Sequence, residues 1–163
     1  MLWRLGLGAS RVSEKRAPLT RSEVMSRIGP KNTRPEMIVR QGLHARGFRF
    51  RLHRKDLPGR PDLILTKFQS VIFIHGCFWH AHENCRSFTL PKTKVEFWSE
   101  KLSTNKLRDK RNIAALLSHG WRVLIIWECE TRRVFIAPLI DQVVGWLQGN
   151  EVLGEIPSSN AAS

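Results

Sequence analysis

The sequence predicts one α/β domain, a mixed central sheet flanked by helices, on three observations. Short apolar runs at Leu63–Leu65 and Val71–Ile74 lie close together, and a third, Arg122–Trp127, follows a long amphipathic stretch. Two neighbouring strands, a helix and a further apolar strand is the order of a sheet with a helical crossover. Hydrophobic residues make up 42% of the 163-residue chain, enough to fill a core. No apolar run approaches the ~18 residues that a membrane span needs, which rules out such a span.

Each element has a local cause. Thr33-Arg34-Pro35-Glu36 reads as a capping box, with Thr33 as the N-cap and Glu36 reaching back to its amide. The helix it opens points Met37, Ile38 and Leu43 inward and ends at Gly47. Leu57-Pro58-Gly59-Arg60-Pro61 is a stiff turn that delivers Asp62 to the start of the Leu63–Leu65 strand. Val71–Ile74 runs into His75-Gly76. A long helix over about residues 94–118 is closed by Gly120, and the strand Arg122–Trp127 ends at Glu128-Cys129. A last helix starts near Pro138 and buries Leu139, Ile140, Val143 and Leu147. Residues 1–20 and 150–163 read as flexible tails, which leaves 21–149 as the folded domain.

Charge narrows the partner. Lys and Arg number 27 against 14 Asp and Glu, a formal charge of +13. The excess is concentrated: residues 1–60 hold 15 basic and 4 acidic side chains. A polyanion is the expected partner, because each cation placed on a phosphate releases condensed counterions. Nucleic acid fits better than an anionic membrane, for which no long basic amphipathic helix is present. Three cysteines without a secretory signal argue against a disulfide framework and for a reducing cytoplasm.

Three constellations bear chemistry. Cys77, His82 and Cys85 cluster in one loop, and Cys129 at the end of the third strand would complete four ligands of the kind that Zn2+ prefers. The spacing also permits His80 in place of His82. Asp62, fixed by two prolines, is placed to hold a hard cation such as Mg2+ against a phosphate, with His75 and His80 nearby in sequence to activate water. Phe78 and Trp79 on the same loop, and Phe97 and Trp98 opening the long helix, are candidates to stack on bases or wedge between them. Core packing is the expectation for Phe97, Trp121 and Trp127.

These motifs carry a resemblance. The turn Leu57–Asp62, the run Val71–His80, Glu96-Phe97-Trp98 and Gly120–Cys129 together resemble the very-short-patch repair (Vsr-type) mismatch endonucleases over about residues 21–130. The segments Met25–Ile28 and Lys31–Glu36 resemble that family's N-terminal part. The resemblance implies a restriction-endonuclease-like fold and a nick in one DNA strand 5′ to the T of a T:G mismatch. It implies that Asp62 and the main-chain carbonyl of Ile74 bind catalytic Mg2+. His80 would be the general base with Glu36 as its support, and His75 and Asp109 would assist at the phosphate. Structural zinc would sit on Cys77, His82, Cys85 and Cys129. DNA would be wedged by Phe78, Trp79 and Trp98, entered by Met25 from the minor groove and read by Lys101. It further implies a cytoplasmic, nucleoid-associated monomer, with mismatch-repair proteins as candidate partners. Two departures stand out: residue 74 is Ile where the best-known members carry Thr, and two residues rather than one separate His82 from Cys85. A sequence-specific endonuclease of the same fold, and a zinc-stabilised DNA-binding module, are the competing readings.

Overall fold

Alternation along the strands builds three layers. A computed structural model describes residues 32–52, 54–132 and 136–157. Within them lie five strands, β1 (Arg51–Leu52), β2 (Leu63–Leu65), β3 (Ser70–His75), β4 (Arg122–Trp127) and β5 (Leu153–Ile156), and three helices, α1 (Arg34–Ala45), α2 (Val95–Ser118) and α3 (Ala137–Gln148). Leu63, Leu65, Ile72, Leu124 and Ile126 face one side of the sheet and pack with Val39 and Leu43 of α1 and with the apolar face of α3. Ile64, Val71, Phe73 and Val123 face the other side and meet Leu116 of α2. Successive strand residues alternate between these cores because side chains point to opposite faces with period two.

The strands lie in the order β1-β2-β3-β4-β5. β1, β2 and β3 are antiparallel neighbours, whereas β3–β4 and β4–β5 are parallel. The sheet is therefore mixed, as expected from two close strands and a helical crossover. The register of the central pair runs from Ser70↔Arg122 to His75↔Trp127, so both strands end at the same edge.

Several expectations change. The buried stripe of α1 is Glu36, Val39, Arg40 and Leu43, whereas Met37 is 37% exposed. Those buried positions follow an i, i+3, i+4, i+7 pattern, but two are charged, which hides the stripe from a hydrophobicity reading. Phe97 is not in the core but 53% exposed. The stretch read as a tail after residue 149 contains β5, parallel to β4. Arg122 ties this end down: its guanidinium donates to the Leu147 and Trp146 carbonyls of α3, at 3.0 and 2.7 Å, while Nε donates to Glu151 at 2.8 Å. The same guanidinium lies over the Trp146 ring, 4.4 Å from its centroid. A cation on the last carbonyls of a helix is the expected cap there. Residues 1–31, including Met25, lie outside the described residues.

β5 fits only because residue 154 is glycine. A Cβ there would meet Trp146 Nε1 at 2.3 Å and Leu124 Cδ1 at 3.0 Å. Gly154→Ala is expected to lower stability by about 1–3 kcal/mol, the usual cost of overpacking a core. A denaturant melt checks this; an unchanged midpoint would mean that β5 is not integral to the fold.

Candidate active site and metal centre

The edge where β3 and β4 end together collects the chemistry. Asp62 precedes β2, which runs antiparallel to β3, so it stands beside the C-terminal end of β3. Its amide donates to the Ile72 carbonyl at 3.0 Å, and its carboxylate Oδ2 accepts from the Ile74 amide at 2.7 Å. The side chain thus takes over the hydrogen bond that a longer β2 would have supplied. Burial raises the Asp62 carboxyl above its ordinary value, partly offset by the Ile74 N–H, the Arg40 charge and His80.

Next along β3 is His75, buried and stacked on His80, with ring centroids 3.8 Å apart and planes 4° from parallel. Burial, followed by the charge of His80, pulls His75 down to about 3, so it is neutral at pH 7. His80 Nδ1 lies 2.5 Å from Asp109 Oδ2 on α2. Burial pushes Asp109 upward, but the hydrogen bond and charge of His80 outweigh it and hold the carboxyl below the ordinary value. An ionised carboxylate only accepts, so the Nδ1 proton sits toward Asp109 and Nε2 is left as the basic nitrogen. His75, His80 and Asp109 also offer three ligand atoms within 4.8 Å of one another. Parallel stacked rings aim their in-plane lone pairs side by side rather than at one point, which suits proton transfer better than metal binding.

Glu36 completes the capping box, with Thr33 N–H to its Oε2 at 3.3 Å, and is ion-paired with Arg40. His80 meets the Asp109 carboxylate. Arg40, missed in the sequence, also donates to Asn32 at 2.8 Å. Its signal was the i, i+4 spacing from Glu36 on a helix whose buried stripe includes both.

A second cluster lies behind the first. Cys77, His82, Cys85 and Cys129 place ligand atoms within 4.8 Å of one another, with His82 Nδ1 at 3.6 Å from the sulfurs of both Cys77 and Cys129. The parallel register achieves this, because Cys77 and Cys129 each follow by two residues the paired positions His75 and Trp127. His80, the alternative by spacing, is turned instead to Asp109. Burial, together with the neighbouring thiols, pushes Cys129 up, and burial raises Cys77. Three sulfurs and one imidazole, two of the thiols resisting ionisation unaided while Cys85 is held below the ordinary value, suit a soft or borderline divalent cation. The His82 ring lies flat on Trp127, 3.9 Å away and 1° from parallel. Trp127 also meets His75 edge-on at 5.5 Å and donates its Nε1–H to Glu155 of β5. One indole therefore forms a wall of both clusters.

The aromatic residues gather beside them. Phe78, Trp79 and Trp98 are mutually in contact, with centroids 5.2–6.2 Å apart, and Phe97 meets Trp98 at 5.3 Å. Lys101 Nζ stands 5.7 Å from the centroid of the Phe97 ring.

Comparison with known proteins identifies the family. A family profile described as DNA mismatch endonuclease Vsr matches residues 13–86. The chain is 40% identical over 140 residues to the DNA mismatch endonuclease Vsr of Escherichia coli K12, covering 84% of this chain and 89% of that one. The chain belongs to the Vsr family of DNA mismatch endonucleases. It is also 49% identical over 119 residues to the type II nicking enzyme V.XorIIP of Xanthomonas oryzae pv. oryzae, covering 73% of this chain and 87% of the relative. The type II nicking enzyme V.NmeAIP of Neisseria meningitidis is 44% identical over 112 residues, covering 69% and 79%. As a Vsr-family endonuclease, the chain acts on DNA. Among the described residues no helix is long and apolar enough to cross a membrane.

The raised Asp62 carboxyl sets a stability test. A carboxyl raised on folding favours the folded state fully below its ordinary value near 3.8, and that contribution is lost as pH rises through the folded value. Asp62→Asn, in buffer free of added divalent cation, should therefore melt higher than wild type at pH 7, with the gain vanishing toward pH 4. Thermal melts across that range check it; a variant that melts lower at pH 7 would contradict the burial argument.

Proposed function

We propose that this chain nicks one strand of duplex DNA 5′ to the T of a T:G mismatch by Mg2+-dependent phosphodiester hydrolysis, starting very short patch repair. The observation that supports this most directly is the run Asp62–Ile74–His75–His80–Asp109: a half-buried carboxylate hydrogen-bonded to β3 and an imidazole oriented by Asp109 near the end of the same strand. Asp62, anchored through Oδ2, offers its other oxygen to a cation, and the Ile74 carbonyl is the second donor implied by resemblance. A hard divalent cation is the group that this raised, partly desolvated carboxylate suits, since it favours the charged form. When bound, Mg2+ neutralises the scissile phosphate and stabilises the leaving 3′ oxygen.

The protein's own groups do the rest. His80 Nε2 takes the proton of the attacking water. Asp109 holds the Nδ1–H and stabilises the imidazolium that forms, as a carboxylate does behind a catalytic imidazole elsewhere. His75, neutral and stacked on the His80 ring, fixes its plane and adds no competing positive charge. Glu36 acts at one remove, by holding Arg40 near Asp62. Phe78, Trp79 and Trp98 wedge into the duplex. A mismatched step is cheaper to unstack than a matched one, which gives mismatch preference a physical route. Lys101 reads the mismatch from the same side, and Met25 enters from the minor groove. Zinc is the expected occupant of Cys77, His82, Cys85 and Cys129, bracing the loop that carries His80. The protein is expected to work as a cytoplasmic, nucleoid-associated monomer, alongside mismatch-repair proteins.

Two relatives are type II nicking enzymes by name, which favours a second reading: nicking at a specific sequence regardless of mismatch. A nicking assay on matched and T:G duplexes in several sequence contexts separates the two. We expect faster nicking of T:G, dependence on added Mg2+, and a loss of about 10²- to 10⁴-fold in Asp109→Asn, the usual range for losing an oriented general base. Equal rates on matched and T:G duplexes would select the second reading, and nicking that persists without divalent cation would reject the mechanism.

For the second cluster we expect about one equivalent of zinc per chain by elemental analysis, as four ligands to one tetrahedral site require. Cys129→Ser should lose both the metal and thermal stability. A metal-free wild type of full stability would overturn the assignment.

A further inference from the structure

Helix α2 is 24 residues long, yet Leu102 and Leu116 are its only buried residues. Its C-terminal third packs on the sheet through Leu116, Ile113 and Leu117. The rest turns Asp109 inward to His80 and leaves most of its surface in water. On one flank, positions 97, 101, 104 and 108 recur at helical spacing, so Phe97, Lys101, Thr104 and Arg108 form a single exposed stripe.

Both ends of the stripe lie against the machinery described above. At one end Phe97, 53% exposed, has its ring against Trp98 and beneath the Lys101 ammonium. A half-exposed phenylalanine beside a wedge of aromatics costs solubility unless it meets a partner. At the other end, the Arg108 side chain is 60% exposed, and its Nη2 lies 3.6 Å from Asp109 Oδ1. That separation is too long for a hydrogen bond. Asp109 has already given Oδ2 to His80. The guanidinium thus stands at the mouth of the reaction centre, loosely held by a carboxylate engaged elsewhere. Its charge reaches both His75 and Asp109. By contrast, Lys106 on the other flank of α2 is ion-paired with Glu83.

We propose that this flank of α2 is a track for the sugar-phosphate backbone of the nicked strand, with Arg108 clamping a phosphate next to the scissile one and Phe97 packing on the strand beside the wedge. The proposal rests on the nicking reading above and adds the path of the strand. The chemistry favours it. A guanidinium matches a phosphate in a bidentate fork, and a phosphate would win Arg108 from an Asp109 that His80 already occupies. From Phe97 to Arg108 the helix rises about 16 Å, the length of four to five base steps, so one face can follow several successive phosphates of the strand on one side of the cut. Thr104, midway, is a short hydroxyl donor that leaves room for the strand.

The test uses the full-length protein and a T:G duplex, with binding followed in calcium and nicking in Mg2+. Arg108→Gln should make the dependence of log affinity on log salt shallower by about one, as expected for one lost phosphate contact. It should raise KM more than it lowers kcat and leave the melting temperature unchanged, and Arg108→Lys should restore most of the salt slope. Duplexes carrying a single neutral methylphosphonate at each phosphate flanking the nick then locate the contact. Wild type should lose affinity at one position, and Arg108→Gln should lose nothing further there. Phe97→Ser should weaken binding without changing the salt slope. If Arg108→Gln binds with wild-type affinity and slope, or loses equally on every modified duplex, the track is wrong while the nicking reading stands. If wild type neither binds nor nicks any duplex, the nicking reading itself fails.

Discussion

The parallel pairing of β3 with β4 is the constraint on which both clusters depend. Its register sets His75 opposite Trp127 and ends the two strands level with each other. Continuing two residues past that pair brings Cys77 and Cys129 to one point, where His82 and Cys85 join them. A slip of one residue in either strand would turn that strand's side chains to the other face of the sheet, unpair His75 from Trp127 and separate the two thiols, because side chains alternate with period two. The register is in turn fixed by burial: Val71 and Val123 face one core, Ile72 and Leu124 the other. Ordinary hydrophobic packing therefore places the groups proposed as catalytic and the candidate metal ligands at once.

The two clusters share a wall and are not independent. Trp127 lies flat on His82, meets His75 at its edge, and is held by Glu155 of β5. His75 in turn stacks on His80, whose Nδ1 is fixed by Asp109. Rigid rings in contact transmit position because an indole or imidazole has few ways to relax. A metal that braces His82 thereby also braces the surface on which His75 and His80 lie. β5, although short and at the edge of the sheet, matters to the site because it holds the indole.

The electrostatic design is one of charges buried at a cost and relieved by partners. Asp62 is raised by burial and steadied by one backbone amide and the Arg40 charge, while Cys77 and Cys129 are raised where they crowd together. Such groups gain most from a cation, since their desolvation is already imposed by the fold. The helix that bears Asp109 presents the opposite surface, wet and basic along one flank, suited to a partner that brings its own negative charge.

The sequence by itself determined the elements that depend on short-range chemistry. The Thr33–Glu36 box capped α1, Pro138 stood in the first turn of α3, and the three apolar runs became β2, β3 and β4. The thiol and imidazole spacing named the candidate metal cluster with His82 in it, although it also allowed His80. Tertiary structure decided between them, since only the placement of Asp109, 29 residues away, turns His80 from the thiols. It also decided the fate of residues without a local signature. Phe97 is exposed because the N-terminal part of α2 extends past the sheet, Arg40 is buried because a charged pair shares the inner stripe, and β5 folds because Arg122 and a small residue at 154 let it dock. Local patterns record what a residue does to its own backbone and near neighbours. Burial, exposure and ligand choice follow from surfaces that meet only after distant segments pack.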